Sequence, residues 1–306
     1  AVATRFGDAV LLSNALDAAS CSAGAQGHFR ESLRLSTERV ALLERLPRHD
    51  PRVGGEVADI FHMASETALA AGQLRLALAS SQRSKHDATA QGLPQISASH
   101  MVTPLVLLGE FDAAIEQAAI MREGWDRAGR QEAGWMAPAF YAAAMVYGLR
   151  GDDDAYPWWW DLARQVSGGL DGKGFSVFSR LRVALHRGSD PVPPPTVANP
   201  PEHGILRAFA SLMRVEMAVV THAPDADAEL AGAWPLGEEN QYAAAHLLRA
   251  AGRLHGDEGE LEQAVDRWEA VGARFERACT LALIPARRAE GEAELAALGC
   301  PPPAVV

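Results

Sequence analysis

One short phrase recurs along the chain and leaves few folds open to it. Gly27-His28-Phe29-Arg30-Glu31-Ser32-Leu33 aligns with Gly72-Gln73-Leu74-Arg75-Leu76-Ala77-Leu78. Both align with Gly109-Glu110-Phe111-Asp112-Ala113-Ala114-Ile115 and with Gly259-Glu260-Leu261-Glu262-Gln263-Ala264-Val265. The shared form is glycine, a polar residue, Phe or Leu, two variable residues, a small residue and an aliphatic one. Such a glycine ends one helix in a conformation that a β-carbon penalises. The apolar residue two positions on tucks beneath the turn, and the small one lets the next helix approach closely. Between the turns the apolar spacing is helical, as in Leu33, Val40, Leu43 and Leu46 or Phe61, Ala64, Ala68 and Leu69. Strand-length alternation is hard to find. An all-α chain of antiparallel helical hairpins follows.

This form resembles the inter-helix turn of tetratricopeptide repeats, with Gly109 to Ile115 the closest match. The resemblance predicts a bulky residue eleven before the glycine, small residues seven or eight before it and a large one four before it. For Gly151 these are Phe140, Ala143 with Ala144, and Tyr147, a full match. For Gly72 they are Phe61, Ala64 with Ser65, and Ala68, the last a departure. For Gly259 they are Leu248, Ala251 with Gly252, and His255. Gly27, Gly72, Gly109 and Gly151 lie 45, 37 and 42 residues apart, longer than the family's period of about 34. Gly188 and the turn near His222 to Pro224 fall where further units belong, and Gly291-Glu292-Ala293-Glu294-Leu295 reads as a last turn. The resemblance implies six to eight hairpins stacked into a right-handed superhelix, each burying its apolar face against its neighbours.

Two stretches break the pattern. After Gly151 the small residue is replaced by Tyr156, although Asp153 or Asp154 can cap a helix there and Pro157 suits a first turn. Pro191-Val192-Pro193-Pro194-Pro195 and Pro200-Pro201 exclude a helix and predict a stiff extended loop. The expected organisation is a block of hairpins over 1–190, a proline-rich loop over 191–201 and a second block over 202–306, in one continuous array.

Trp268-Glu269-Ala270-Val271-Gly272-Ala273-Arg274-Phe275-Glu276-Arg277-Ala278 is similar to the last repeats of large ATP-dependent regulators of the LuxR type. There a tryptophan helix ends at a glycine and an aromatic-Glu-x-Ala helix follows. The resemblance implies a bacterial, cytoplasmic sensor or interaction region, lying in that family between an ATPase and a DNA-binding domain. Ser167-Gly168-Gly169-Leu170-Asp171-Gly172-Lys173-Gly174 lacks the leading glycine and closing Ser or Thr of a nucleotide-binding loop, and reads as an inter-helix turn. The chain begins with Ala1, as an excised fragment or one stripped of its initiator would.

Composition narrows the partners. A net charge of −11 argues against a protein that grips nucleic acid through a global positive field. Ala139 to Leu149, the longest apolar run, is about half of what a membrane-spanning helix needs. Three widely spaced cysteines, Cys21, Cys279 and Cys300, offer no disulfide framework, in keeping with a reducing compartment. The expected partners are a protein, a peptide or a small polar effector, with a homo-oligomer compatible. No direct nucleic-acid binding, no membrane and no cofactor are expected.

Chemistry-bearing motifs are few. Asp152-Asp153-Asp154 could serve a metal-dependent all-α enzyme, which is the alternative reading, but its place at a turn favours capping. The ten histidines make no H-E-x-x-H motif and no pair four apart. Trp158 to Trp160 point in three directions around a helix, so that one belongs in the core and one outside. In the repeat family the first helix of each hairpin lines a concave groove, at about 13, 10, 6 and 3 residues before the turn glycine. That offset selects Asp59, His62 and Glu66, then Ser99 and Thr103, then Tyr141 and Met145, then Phe178 and Arg182, and last His246, Arg249 and Arg253. An acidic wall, an aromatic middle and a basic wall result, a pattern suited to a peptide or a small polar effector. The function expected is a non-catalytic sensor or protein-interaction domain, with a pure scaffold as a third reading.

Overall fold

A computed structural model describes residues 8–47, 49–50, 53–86, 94–169, 174–188 and 206–304. The proline-rich loop expected at 191–201 and part of the glycine-rich turn at 167–174 lie outside these residues. Fifteen α-helices and no strand are present among the described residues. They are α1 Ala9–Gln26, α2 Phe29–Val40, α3 Val53–Ala70, α4 Leu74–His86, α5 Pro94–Leu108, α6 Phe111–Arg127, α7 Ala137–Arg150 and α8 Ala155–Val166. Then follow α9 Gly174–Arg187, α10 Arg207–Val220, α11 Ala226–Glu239, α12 Gln241–His255, α13 Glu258–Val271, α14 Arg274–Leu283 and α15 Arg288–Ala297.

The repeated glycines act as their chemistry predicts. Gly27, Gly72, Gly109 and Gly151 have φ of 87°, 71°, 80° and 79°. In each case the next residue's N–H reaches back five positions: His28 to Ala23, Gln73 to Ala68, Glu110 to Leu105 and Asp152 to Tyr147, at 2.8 to 3.0 Å. These are Schellman turns, which satisfy helix-end carbonyls that would otherwise lack partners. His222 takes the same left-handed conformation, with φ 51° and Ala223 N–H on Ala218.

The structure moves two of the expected turns. The glycine between α12 and α13 is Gly256, with φ 66°, and not Gly259. Gly259 lies in the first turn of α13, where its N–H donates to the Asp257 carboxylate at 2.7 Å. Asp257 supplies a cap of its own and displaces the apolar residue along the helix. Gly291 is buried inside α15, and a β-carbon there would meet the Ala278 carbonyl oxygen at 2.5 Å. It serves close helix packing rather than a turn. After Gly151 the cap is Asp152, whose Oδ1 accepts from Ala155 N–H at 2.8 Å, while Asp153 pairs with Arg187.

The helices pack as sequential pairs: α1 with α2, α3 with α4, α5 with α6, α7 with α8, α10 with α11, α12 with α13 and α14 with α15. First helices also pack on one another, α1 on α3, α3 on α5, α5 on α7, α7 on α9, α9 on α10 and α10 on α12. Helix α9 therefore occupies an inner position, between α7 and α10. One apolar core runs from Phe29 to Cys300 and takes residues from both sides of the 191–201 segment. The two halves also meet directly. Gln241 N–H donates to Ala71 O at 3.0 Å and Asn240 Nδ2 to Ala70 O at 2.8 Å. Helix α14 touches α5, and Phe275 lies 5.7 Å from Phe111 between ring centroids. The inner faces of the later helices consequently press against other helices.

Candidate functional site

At the first two hairpins the chemistry centres on Arg39 of α2, which is buried and ties three helices together. It reaches Asp17 of α1 at 2.6 Å, and Glu56 and Asp59 of α3 at 2.8 and 2.6 Å. Its Nε donates to Ser13 Oγ at 3.0 Å. One guanidinium thus faces three carboxylates. Burial raises the pKa of Asp17, Arg39 opposes that rise, and Asp59 and Glu56 reinforce it. Asp59 remains half exposed, so the outer edge of this cluster carries accessible negative charge.

Next along the inner face, His62 of α3 and His100 of α5 meet at 2.8 Å, Nδ1 to Nε2. Burial and the neighbouring His62 hold the His100 pKa down at about 3, so this ring is neutral near pH 7. His100 Nδ1 is buried with no partner. A proton on His100 Nε2, donated to His62 Nδ1, is the tautomer that strands no N–H. Trp135, which precedes α7, lies 5.8 and 5.7 Å from the two rings and is 45% exposed. Glu66, one helical turn after His62, has its pKa raised by burial against the pull of His62. Ser99 and Thr103 lie in the interior, and Ser99 Oγ donates to the Ile96 carbonyl at 2.7 Å.

The aromatic middle is core. Tyr141 and Met145 are buried, and Tyr141 meets Trp160 edge-on at 4.7 Å. Phe178 packs between Phe175 and Phe209 at 5.3 and 5.2 Å. Of the three tryptophans in α8, Trp159 is buried, Trp160 half-buried and Trp158 49% exposed. The offset rule expected these residues in an open groove, and in the structure other helices cover them.

The basic residues of the later units converge on partners that the same rule did not select. Arg182 of α9 forks onto Glu276 of α14, with Nε at 2.8 Å and Nη2 at 3.1 Å. Arg249 of α12 donates to Glu276 at 2.5 Å and to Glu216 of α10 at 2.7 Å. His246 Nε2 lies 3.0 Å from the same Glu216 oxygen, and Tyr242 donates its hydroxyl to Glu276 at 3.2 Å. All six side chains are buried. Burial alone would raise both carboxyls, but the arginines overcome it, holding Glu216 at about 2 and Glu276 well below the usual range. Burial lowers His246 to about 4, so it is a neutral donor here, with its bare Nδ1 unpartnered. Helical spacing builds this centre: Arg182 with Leu185, Glu216 with Val220, His246 with Arg249 and Arg253, and Cys279 with Leu283 each share one face.

These groups border a recess of about 350 Å³, open mouth included, lined among others by Arg182, Glu216, Arg249, Arg253, Cys279 and Pro303. Within it there is room for about one or two water molecules. Burial pushes the Cys279 thiol up to about 11. Glu216 and Glu276 escaped the sequence reading because α10 and α14 are not followed by a turn glycine to count from. The signals present were the Phe275-Glu276-Arg277-Ala278 phrase and, for Glu216, its place six residues before the His222 turn.

Among the described residues no group of three or more His, Cys, Asp or Glu side chains is placed to hold a metal ion, and no helix is long and apolar enough to cross a membrane. No family model matches the chain, and neither a curated protein nor a solved structure resembling it was found.

Proposed function

We propose that this chain is a non-catalytic helical-hairpin module that binds a basic peptide segment of a partner protein along the inner face of its first hairpins. The observation supporting this is the surface of half-exposed Asp59 and Trp135, with the partly buried His62 and Glu66 beside it. Here accessible acidic and aromatic groups stand on successive inner elements, whereas the later inner positions are filled by the chain itself. Excess carboxylate selects Lys or Arg, and the exposed indole offers a ring face to a guanidinium or an aliphatic stem. On this reading the hairpins form a tetratricopeptide-like right-handed superhelix, and the Trp268 to Ala278 phrase relates the chain to sensor regions of cytoplasmic LuxR-type regulators. Binding across several hairpins would bias their relative packing, a population shift handed to attached domains.

Selection of short random peptides on the wild-type protein, followed by titration of the enriched sequences, tests this. Enriched peptides should be basic, and Asp59→Asn with Trp135→Ala should weaken them at least tenfold. Enrichment of acidic peptides, or equal affinity for the double variant, would overturn the reading.

A further inference from the structure

Counting charge around the buried recess exposes an imbalance. Arg182 and Arg249 are matched by Glu216 and Glu276, and His246 is neutral. Arg253, one turn beyond Arg249 on the same face of α12, is the third guanidinium lining the recess, yet it makes no ion pair within 4 Å among the described residues. Its surroundings penalise its charge on balance: burial lowers its pKa most, Glu216 opposes that, and Arg249 and Arg182 lower it further. A second observation concerns Arg249, which also lines the recess. Arg249 is 1% exposed, and its Nε–H is buried without an acceptor. A buried donor on a cation, left unmade, is unusual because such hydrogen bonds are among the strongest a protein forms.

Both defects have one remedy. An anion in the recess would balance Arg253 and give a charged acceptor to the buried arginines. The recess has room for about one or two water molecules, which limits the ligand to a small ion or head group. Leu185, Val220 and Leu283 complete the walls, so that bulk water screens the interaction weakly. We propose that this recess is a binding site for a small monoanion, a halide ion or the carboxylate head of a small acid, held by Arg253 and Arg249. The proposal uses only this local geometry and does not depend on the peptide-binding reading, which concerns the other end of the chain.

Two nuclear magnetic resonance titrations on the whole chain test it: excess line width of ³⁵Cl in sodium chloride, and saturation transfer to the formate proton in sodium formate. Arg253→Gln is the test variant. Arg130→Gln removes an exposed guanidinium as a charge control. Wild type should bind saturably with one site, Arg253→Gln at least fivefold more weakly, and Arg130→Gln as wild type. Formate that displaces chloride assigns the carboxylate head, and chloride binding that formate leaves untouched assigns the halide. Absence of saturable binding of either ion, or less than a fivefold loss in folded Arg253→Gln, would overturn the site. Circular dichroism of the variant verifies folding.

Discussion

The protein contains two arginine-centred clusters, and they differ in who outnumbers whom. Around Arg39 one guanidinium faces three carboxylates, at an edge where Asp59 is 45% exposed and Asp17 is 30% exposed. Around Glu216 and Glu276 two arginines face two carboxylates, all at 5% exposure or less. Solvent explains the contrast. Water can stabilise surplus charge at an edge, whereas surplus charge in an interior must be matched or shifted in pKa. The first cluster is thus free to present negative charge outward. The second holds four helices together and leaves its single imbalance, Arg253, beside the recess.

Substitutions should separate the two clusters most strongly. Glu276→Gln removes the charge shared by Arg182 and Arg249, and leaving buried Arg182 without a carboxylate and Arg249 with Glu216 alone should destabilise the fold by about 3–5 kcal/mol. Arg39→Met leaves its carboxylates nearer to water, so a loss of about 1–3 kcal/mol is expected, diminishing with added salt. Urea unfolding at low and high salt measures both. Equal losses with equal salt dependence would break the comparison.

Acid sharpens it, because the clusters respond with opposite sign. His246 and His186, held near 4, and His100, held near 3, have depressed folded pKa values, their largest cause being burial. The unfolded chain therefore takes up protons first, and stability falls as pH drops from about 6.5 towards 4. Glu216, at about 2, and Glu276 contribute stability that is present above about 4.5 and lost as pH falls below it. Asp17 and Glu66 have raised folded values, so their unfavourable charge is relieved as pH falls, which stabilises the fold. The net loss between pH 7 and 4 should be on the order of several kcal/mol, because the interior groups dominate. Urea midpoints across that range give the sum, and hydrogen exchange should show α9, α10, α12 and α14 opening before α1 to α3. A flat profile, or the first hairpins opening first, would refute it.

The smallest effect distinguishes turn chemistry from tertiary closure. At Gly151 a β-carbon would meet nothing within 4 Å, so Gly151→Ala should cost only the left-handed backbone penalty, about 1 kcal/mol. At Gly72 the same atom would come 2.4 Å from Tyr242 N, where the first and second halves touch. Gly72→Ala should be at least about 1 kcal/mol worse than Gly151→Ala. Thermal unfolding of the two variants decides the matter, and matching losses would mean that the contact between halves adds nothing.

Much of the local structure was legible before any coordinates. A Schellman turn needs only a glycine and the carbonyls of its own helix, so Gly27, Gly72, Gly109 and Gly151 announced their hairpins. The Trp268 helix ends at Gly272, with φ 83°, and α14 begins at Arg274, because that signal is equally local. The placement of Trp158 to Trp160 followed from helical geometry alone. Gly259 misled because Asp257 caps from within the turn, and Gly291 misled because a packing glycine and a turn glycine look alike in one dimension.

The sequence by itself determined the helices, most of their turns and which face of each inner helix carries its distinctive residues, since these depend on bonds within a few positions. Only the tertiary structure decided what those faces meet. Asp59, His62 and Glu66 remain near solvent because α3 stands early in the stack. Tyr141 is interior against Trp160 of α8, Phe178 against Phe209 of α10, and Arg182, His246 and Arg249 against Glu216 of α10 and Glu276 of α14. Periodicity gives a direction around a helix axis. Whether water or another helix lies in that direction depends on how units 94 residues apart, such as Arg182 and Glu276, close on each other.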